Sequence, residues 1–329
     1  MSLDADVAAV RLAVRRHGVA DLGDGAVLVA CSGGADSLAL LAATVFETRA
    51  AGGRVVGVTV DHGLQDGSAE HAARVVAQMA HVGADETCSA RVQVEPAGRG
   101  PEAAAREARY AVLEQMAEHF GSSTVLLGHT LDDQAETVLL GLTRGSGGRS
   151  IAGMRPAFDV FRRPLLGVRR SQTVAACRAE DLDFWSDPHN ADPRFTRSRV
   201  RHTVLPTLER ELGPGVAETL ARTAEQLRPD MEALDRFAET AFARYHDDVV
   251  GFEVAEIATL EPAVRTRMLR LAALRAGCPS GELFAVHIDA LERQVANRDR
   301  LPKAIQLPGH VTAYRQGDHL RFAAASVES

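Results

Sequence analysis

The chain has 329 residues, 46 % hydrophobic and 25 % charged, which suits a globular protein long enough for two domains. No apolar run approaches the ~20 residues of a membrane-spanning helix, and Met1-Ser2-Leu3-Asp4 lacks the basic start and apolar core of a secretory signal, so no membrane association and a cytoplasmic location are expected. The net charge of −7 argues against nucleic-acid binding by the surface as a whole, but residues 141–210 carry 13 arginines against 7 acidic residues, a local +6 that marks a candidate anion or RNA surface.

Four apolar, β-branched runs recur in the first half, at Val27–Cys31, Val55–Val60, Arg91–Glu95 and Thr124–Gly128. Helical patterns lie between them, at Ser37–Arg49, Ala69–Val82 and Glu102–Phe120. Nearly apolar strands separated by helices predict an α/β domain with a parallel, doubly wound, Rossmann-like sheet, whose ligands bind at the carboxyl ends of the strands. Ser32, Asp61-His62 and His129 stand at those ends. From about Pro206 the pattern turns helical, at Thr219–Tyr245, Pro262–Ala276 and Leu283–Val295, and then to short strands at Lys303–Leu307, His310–Arg315 and His319–Ala323. The expected division is an N-terminal domain over residues 1–205, then a helical linker and a small α+β C-terminal domain over 206–329.

The first strand runs into Ser32-Gly33-Gly34-Ala35-Asp36-Ser37 and a helix. Glycines let backbone N–H groups close around an anion, and the helix N-terminus adds partial positive charge. This is a candidate phosphate loop, though not the GxxxxGK[ST] kind. Asp36 repels bare phosphate, so Mg²⁺ between the two is expected. His129, Asp132 and Asp133, with Glu136 beyond, span one turn at the end of the fourth strand and the start of the next helix; helix capping accounts for one such acid and poorly for a histidine with three. Arg197 and Arg201 are candidate phosphate contacts, the alternative being salt bridges to Asp187 or Asp192. Trp185 is expected in the core and Cys31 as an inert apolar thiol.

The loop resembles that of the PP-loop ATPases, which cleave ATP between the α and β phosphates. Later segments narrow the likeness to the tRNA(Ile)-lysidine synthetases: Val60-Asp61-His62-Gly63-Leu64, the Glu102–Tyr110 helix, Gly128-His129-Thr130-Leu131-Asp132-Asp133-Gln134-Ala135-Glu136-Thr137, Arg144-Gly145-Ser146-Gly147, Gly153-Met154, Arg163-Pro164-Leu165-Leu166, Trp185–Asn190 and Arg197–Arg201. The similarity runs in consistent order over roughly 27–210; Ser198 and His189 depart from it, where the family has Asn and Ser.

The resemblance implies ATP-dependent ligation of L-lysine to C2 of cytidine 34 in the CAU anticodon of a minor isoleucine tRNA, through an adenylated cytidine, with release of AMP and pyrophosphate. It implies ATP binding by Ser32, Gly33, Gly34, Ala35, Asp36 and Ser37, a catalytic group of Asp36, His129, Asp132, Asp133 and Arg201, Mg²⁺ at Asp36 and Asp132, and tRNA or phosphate contacts at Arg144, Arg197 and Arg201. Asp133 is the residue favoured for holding or deprotonating the lysine amine. A homodimer is compatible with the sequence. Two readings compete: a tRNA thiolase of the same ATP class, and an ATP-sensing module without chemistry. Against the first, the scattered Cys31, Cys88, Cys177 and Cys278 form no CxxC pair, and Cys177 and Cys278 stand away from the motifs.

Overall fold

Asp4 opens the first helix, α1 (Ala5–His17), its carboxylate accepting from the N–H groups of Asp6 and Val7 at 2.9 and 3.2 Å. There follow β1 (Ala26–Ala30), α2 (Ala35–Ala51), β2 (Arg54–Asp61), α3 (Ser68–Val82), β3 (Glu86–Arg91), α4 (Pro101–His119) and β4 (Val125–Leu127). The computed structural model describes residues 3–20, 25–61, 63, 67–92, 101–144, 147–187, 192–247, 251–296 and 304–324, with the backbone alone at 50–51, 101–105 and 144. His62, Leu64, residues 93–95, Gly145, Ser146, Pro188–Asn190 and Lys303 thus lie outside the described residues, as do the side chains of Glu102 and Arg144.

β1 to β4 pair in parallel, and β5 (Ala157–Phe158) and β6 (Phe161–Arg162) complete a six-stranded sheet of order β3-β2-β1-β4-β6-β5, in which only β5 is antiparallel. Alternation along β1 fills two cores. Val27 and Val29 pack with Leu38 and Leu41 of α2, Val75 and Met79 of α3 and Val10 and Val14 of α1. Leu28 packs on the other face with Val56, Val58 and Leu113 of α4. The expected doubly wound parallel sheet is therefore present, with one correction. Its third strand is Glu86–Arg91, paired to Val56–Asp61, and so begins five residues before the expected Arg91–Glu95, of which 93–95 lie outside the described residues. An edge strand is wetted along one side, so Glu-Thr-Cys-Ser-Ala-Arg needs no apolar run.

Onward come α5 (Leu131–Arg144), α6 (Gly148–Ile151), α7 (Arg170–Ala179), α8 (Thr196–Arg199), a π-helical turn at Val200–Val204, α9 (Leu205–Leu212) and α10 (Val216–Tyr245). β7 (His246–Asp247), β8 (Gly251–Glu253), α11 (Val254–Ile257), α12 (Pro262–Arg275), α13 (Ala285–Ala296), β9 (Ile305–Leu307), β10 (Val311–Gln316) and β11 (His319–Ala324) follow. The last sheet has order β7-β8-β11-β10-β9 and is antiparallel throughout. The expected three-stranded tail is joined by β7 and β8, pieces too short to register as strands in the sequence. Two compact units divide the chain, Met1–Leu140 with Met154–Ala221, and Gly141–Gly153 with Arg222–Ser329. Residues 206–221 pack within the first, where Leu205 and Ala217 meet Leu131 and Ala135. Among the described residues no helix is long and apolar enough to cross a membrane.

Candidate active site

Beyond β1 the backbone leaves the sheet at Cys31, whose N–H still reaches Val58 O at 2.8 Å, and turns into α2. Gly33 takes φ +80°, and a Cβ there would meet Val75 Cγ2 at 2.7 Å, so only glycine suits the turn. Ser37 staples the loop: its Oγ donates to Gly34 O at 2.9 Å and accepts from Ser32 N–H at 3.1 Å. Gly34, the N-cap of α2, adds no side-chain hydrogen bond, which leaves the helix start with amide donors for an anion. The loop's outer side carries two residues of other segments. Trp185 donates its backbone N–H to Gly33 O at 2.9 Å and sets its ring against His71, with centroids 4.1 Å apart and planes tilted by 45°, while His71 Nε2 lies 3.1 Å from Ser32 O. Trp185 is 36 % exposed, a correction to the expected core position.

The end of β4 is brought onto this loop by Gly128. A Cβ there would stand 3.1 Å from Asp36 C, Asp36 O and Ser37 N, all backbone, so the strand approaches the α2 start as closely as a glycine allows. That approach delivers the next residues to Asp36. The Asp133 carboxylate folds back onto the start of α5, its Oδ2 accepting from Thr130 N–H and Oγ1–H at 2.8 and 2.9 Å. Asp132 instead caps α7, accepting from Arg170 N–H at 2.8 Å.

Arg170 is the hub. Its guanidinium donates to Asp133 Oδ1 at 2.8 Å, Glu136 Oε1 at 3.3 Å and Asp36 Oδ2 at 3.4 Å. The helical turn from α8 into the π-helical segment puts Arg197 and Arg201 on one face, four residues apart, against the same acids. Arg201 reaches Glu136 at 2.7 and 3.0 Å and Asp133 at 3.1 Å; Arg197 reaches Glu136 at 2.8 Å and Asp133 O at 3.3 Å. Glu136 is fully buried beneath all three. Burial would raise the Asp133 carboxyl, but Arg170, the Thr130 N–H and Arg197 together hold it below its ordinary range. Asp36 goes the other way: burial raises it, against the pull of Arg170 and the Thr173 hydroxyl that donates to it.

His129 is neutral. Burial, then the Arg163 cation, pushes its pKa down to about 3. Its Nδ1 accepts from Arg163 Nε at 3.3 Å, so the ring proton sits on Nε2. Arg163 is itself buried, held by Arg155 O at 2.6 Å and the Tyr110 hydroxyl at 3.1 Å. Cys177, expected away from the motifs, lies under the loop with Sγ 3.3 Å from Ala35 O; burial and then Asp36 push its thiol up to about 12. Cys31 is also buried and raised, by burial against the hydrogen bonds of the loop.

Of the residues singled out in the sequence, Asp36, Asp132, Asp133 and Glu136 converge with Arg197 and Arg201 through Arg170. The arginines' acidic partners are Asp133 and Glu136, while Asp192 pairs with Arg194 at 2.6 Å. Arg170, Thr173 and His71 are not marked by the sequence reading, and Arg163 enters it only as part of a matching segment, without a role. For Arg170 a signal exists: two arginines, Arg169 and Arg170, open α7, where the helix dipole disfavours cations, which points to acids from elsewhere.

The first part of the chain, residues 11–208, matches the family model described as the PP-loop domain, and residues 252–321 match the TilS substrate binding domain. A tRNA(Ile)-lysidine synthase of Streptomyces coelicolor is 54% identical over 297 residues, covering 89% of this chain and 84% of the relative. One of Thermobifida fusca is 53% identical over 304 residues, 92% and 93%. Among solved structures, a U34-tRNA thiolase of Methanococcus maripaludis superposes with TM-score 0.56 at 17% identity, over 68% of this chain and 79% of that one, a likeness of fold. The ordered loop, the acidic α5 start and full-length relatives at about half identity converge: the chain belongs to the tRNA(Ile)-lysidine synthase family of PP-loop proteins.

Proposed function

We infer that this chain is an ATP-dependent ligase that attaches L-lysine to C2 of cytidine 34 in a CAU-anticodon tRNA(Ile), within the cytoplasm. The observation that carries the reading is the convergence of the Ser32–Ser37 loop with Asp36, Asp132, Asp133 and Arg170 at adjacent strand ends, in a chain whose relatives bear that name. The cytidine C2 oxygen attacks the α-phosphorus of ATP and pyrophosphate leaves; the lysine ε-amine then attacks C2, loses a proton, and AMP leaves. Residues 1–205 carry the chemistry and residues 206–329 contribute tRNA recognition.

The loop amides and the α2 N-terminus hold phosphate oxygens. Asp36, with Asp132 near the α7 start, suits Mg²⁺. No group of three or more His, Cys, Asp or Glu side chains occurs among the described residues, and an ion that takes one or two carboxylates together with substrate phosphates needs no such group. Held by Asp36 and Asp132, the ion would supply neutralisation of charge on the phosphates. Arg201 and Arg197 serve ATP phosphate, and Arg144 is a further candidate contact. His129, uncharged, offers its Nε2–H as a donor.

Lysine poses a separate demand, since roughly one ε-amine in 2,500 is neutral at pH 7. Asp133 and Glu136 attract the ammonium, and the three arginines now on them must share or yield those oxygens when lysine enters. Sulfur transfer is disfavoured by Cys31 and Cys177, whose buried thiols are held protonated. Purified protein with ATP, Mg²⁺ and radiolabelled L-lysine should label the CAU-anticodon tRNA(Ile) and leave initiator tRNA(Met), which shares the anticodon, unlabelled. Absence of label in both, or equal label in both, overturns the reading.

A further inference from the structure

A loop such as Ser32–Ser37 can hold phosphate only if its amides face the ligand, and a glycine-rich turn does not keep them there by itself. In a trans peptide the carbonyl and the next N–H point to opposite sides, and every peptide bond among the described residues is trans. Fixing the Ser32 and Gly33 carbonyls therefore fixes the Gly33 and Gly34 N–H groups. Both carbonyls are held from behind: His71 Nε2 lies 3.1 Å from Ser32 O, and the Trp185 N–H donates to Gly33 O at 2.9 Å. On the other side, the Gly33 N–H is turned to the buried Cys31 sulfur. The N–H groups of Gly34, Ala35 and Asp36 have no acceptor among the described residues.

The grip comes from one face of α3, where His71, Val75 and Gln78 stand at i, i+4 and i+7. Val75 is fully buried, its Cγ2 2.7 Å from where a Cβ on Gly33 would stand. Gln78 Nε2 donates to Asp183 O at 2.7 Å, two residues before Trp185. The His71 ring rests against the Trp185 ring, with centroids 4.1 Å apart. A carbonyl only accepts, so the His71 proton is on Nε2, while Nδ1 is buried without a partner. Among the described residues the imidazole thus makes one hydrogen bond, and it is to the loop. Water would satisfy Ser32 O equally well. A ring set between α3 and Trp185 also fixes the direction of the peptide plane.

We propose that His71 is a positioning residue for the phosphate loop. It holds the Ser32–Gly33 peptide directly and the Gly33–Gly34 peptide through Trp185, so that the Gly34 amide joins those of Ala35 and Asp36 toward the pyrophosphate portion of ATP. The inference rests on the ATP reading of the loop, and its test uses the full chain with inorganic pyrophosphate as the probe. Trp185 is the only tryptophan, so its fluorescence reports this spot alone, and calorimetry gives the affinity independently. His71→Phe keeps a ring against Trp185 and drops the donor. It should raise the Kd for pyrophosphate and the KM for ATP about 10-fold, with the KM values for tRNA and lysine unchanged. His71→Gln, whose amide reaches Ser32 O, should recover most of that loss. A residue serving packing alone would give the reverse order, with His71→Phe tolerated and His71→Gln not, and that order overturns the proposal. If His71→Phe and His71→Gln, each melting with wild type, bind pyrophosphate alike, the proposal is also overturned and the ATP reading stands. Should His71→Phe melt below wild type, His71→Asn, whose amide stops a methylene short of Ser32 O, takes its place in the comparison. A wild type that binds no pyrophosphate overturns the loop reading and this proposal together.

Discussion

His129 shows how far a residue's role depends on surroundings that its sequence neighbours do not reveal. Its motif marks it as functional, but its charge state comes from burial and then from Arg163, 34 residues on. A histidine whose pKa falls from 6.5 to about 3 on folding is protonated first in the unfolded chain. Its contribution to stability is therefore complete above pH 6.5 and is lost progressively down to about pH 3. His129→Asn keeps an acceptor for Arg163 and removes the titration. Between those pH values wild type should lose stability more steeply than the variant, by up to about 1.4 kcal/mol per pH unit; parallel urea-melt profiles would refute the neutral assignment. The two carboxylates bracketing Arg170 should differ in kind. Folding disfavours the Asp36 charge, so Asp36→Asn should leave the melting temperature equal or slightly higher while AMP formation disappears. Glu136 is fully buried against three guanidiniums, and Glu136→Gln should cost about 3 kcal/mol along with activity. Calorimetry separates the cases, and equal destabilisation would sink the distinction. The acids were legible because they share one helix turn. Arg170 and Thr173 were not, because they stand 134 and 137 positions from Asp36 and meet it only on folding.

At the scale of elements, the sequence speaks clearly where a run is buried on both faces and faintly where it is not. β1, β2 and β4 stand within a residue or so of their apolar runs. β3 lies at the sheet edge, and the apolar run expected there belongs in part to residues after it. β5 to β8 are two or three residues long, below any periodicity. The decisive junction is β4 against α2, and it rests on a missing side chain. Gly128→Ala places a methyl 3.1 Å from three backbone atoms of Asp36 and Ser37, none of which moves without shifting the loop. The expected cost is about 1–3 kcal/mol, with loss of ATP-dependent AMP formation. Ala35→Gly should leave AMP formation closer to wild type, since it removes a methyl at the helix start and adds no contact. Full AMP formation by Gly128→Ala would show that the junction does not set the loop.

For the whole molecule, the informative quantity is where charge is neutralised. The +6 surplus of residues 141–210 suggested a surface for RNA, yet Arg169, Arg170, Arg194, Arg197, Arg201 and Arg210 each have an acidic partner within 4 Å, as does Arg149 in the second unit. Many of the segment's cations are thus spent on internal pairs, and a linear count overstates what a polyanion meets. Arg201 is the clearest case, with side-chain exposure of 22 % and both Glu136 and Asp133 in reach. A phosphate drawing Arg201 away would strand a buried carboxylate, which is costly. ATP phosphate beside Asp36 can be met without full withdrawal, through the same cluster by way of Arg170. Arg201→Ala should therefore lower turnover and leave the salt dependence of tRNA binding where it is in wild type. A tRNA phosphate contact would instead flatten the plot of log K against log salt by about 0.7 to 0.9. Filter binding across a salt series decides between them: a slope reduced by that amount places Arg201 on the tRNA backbone, and an unchanged slope with lost AMP formation assigns it to the nucleotide.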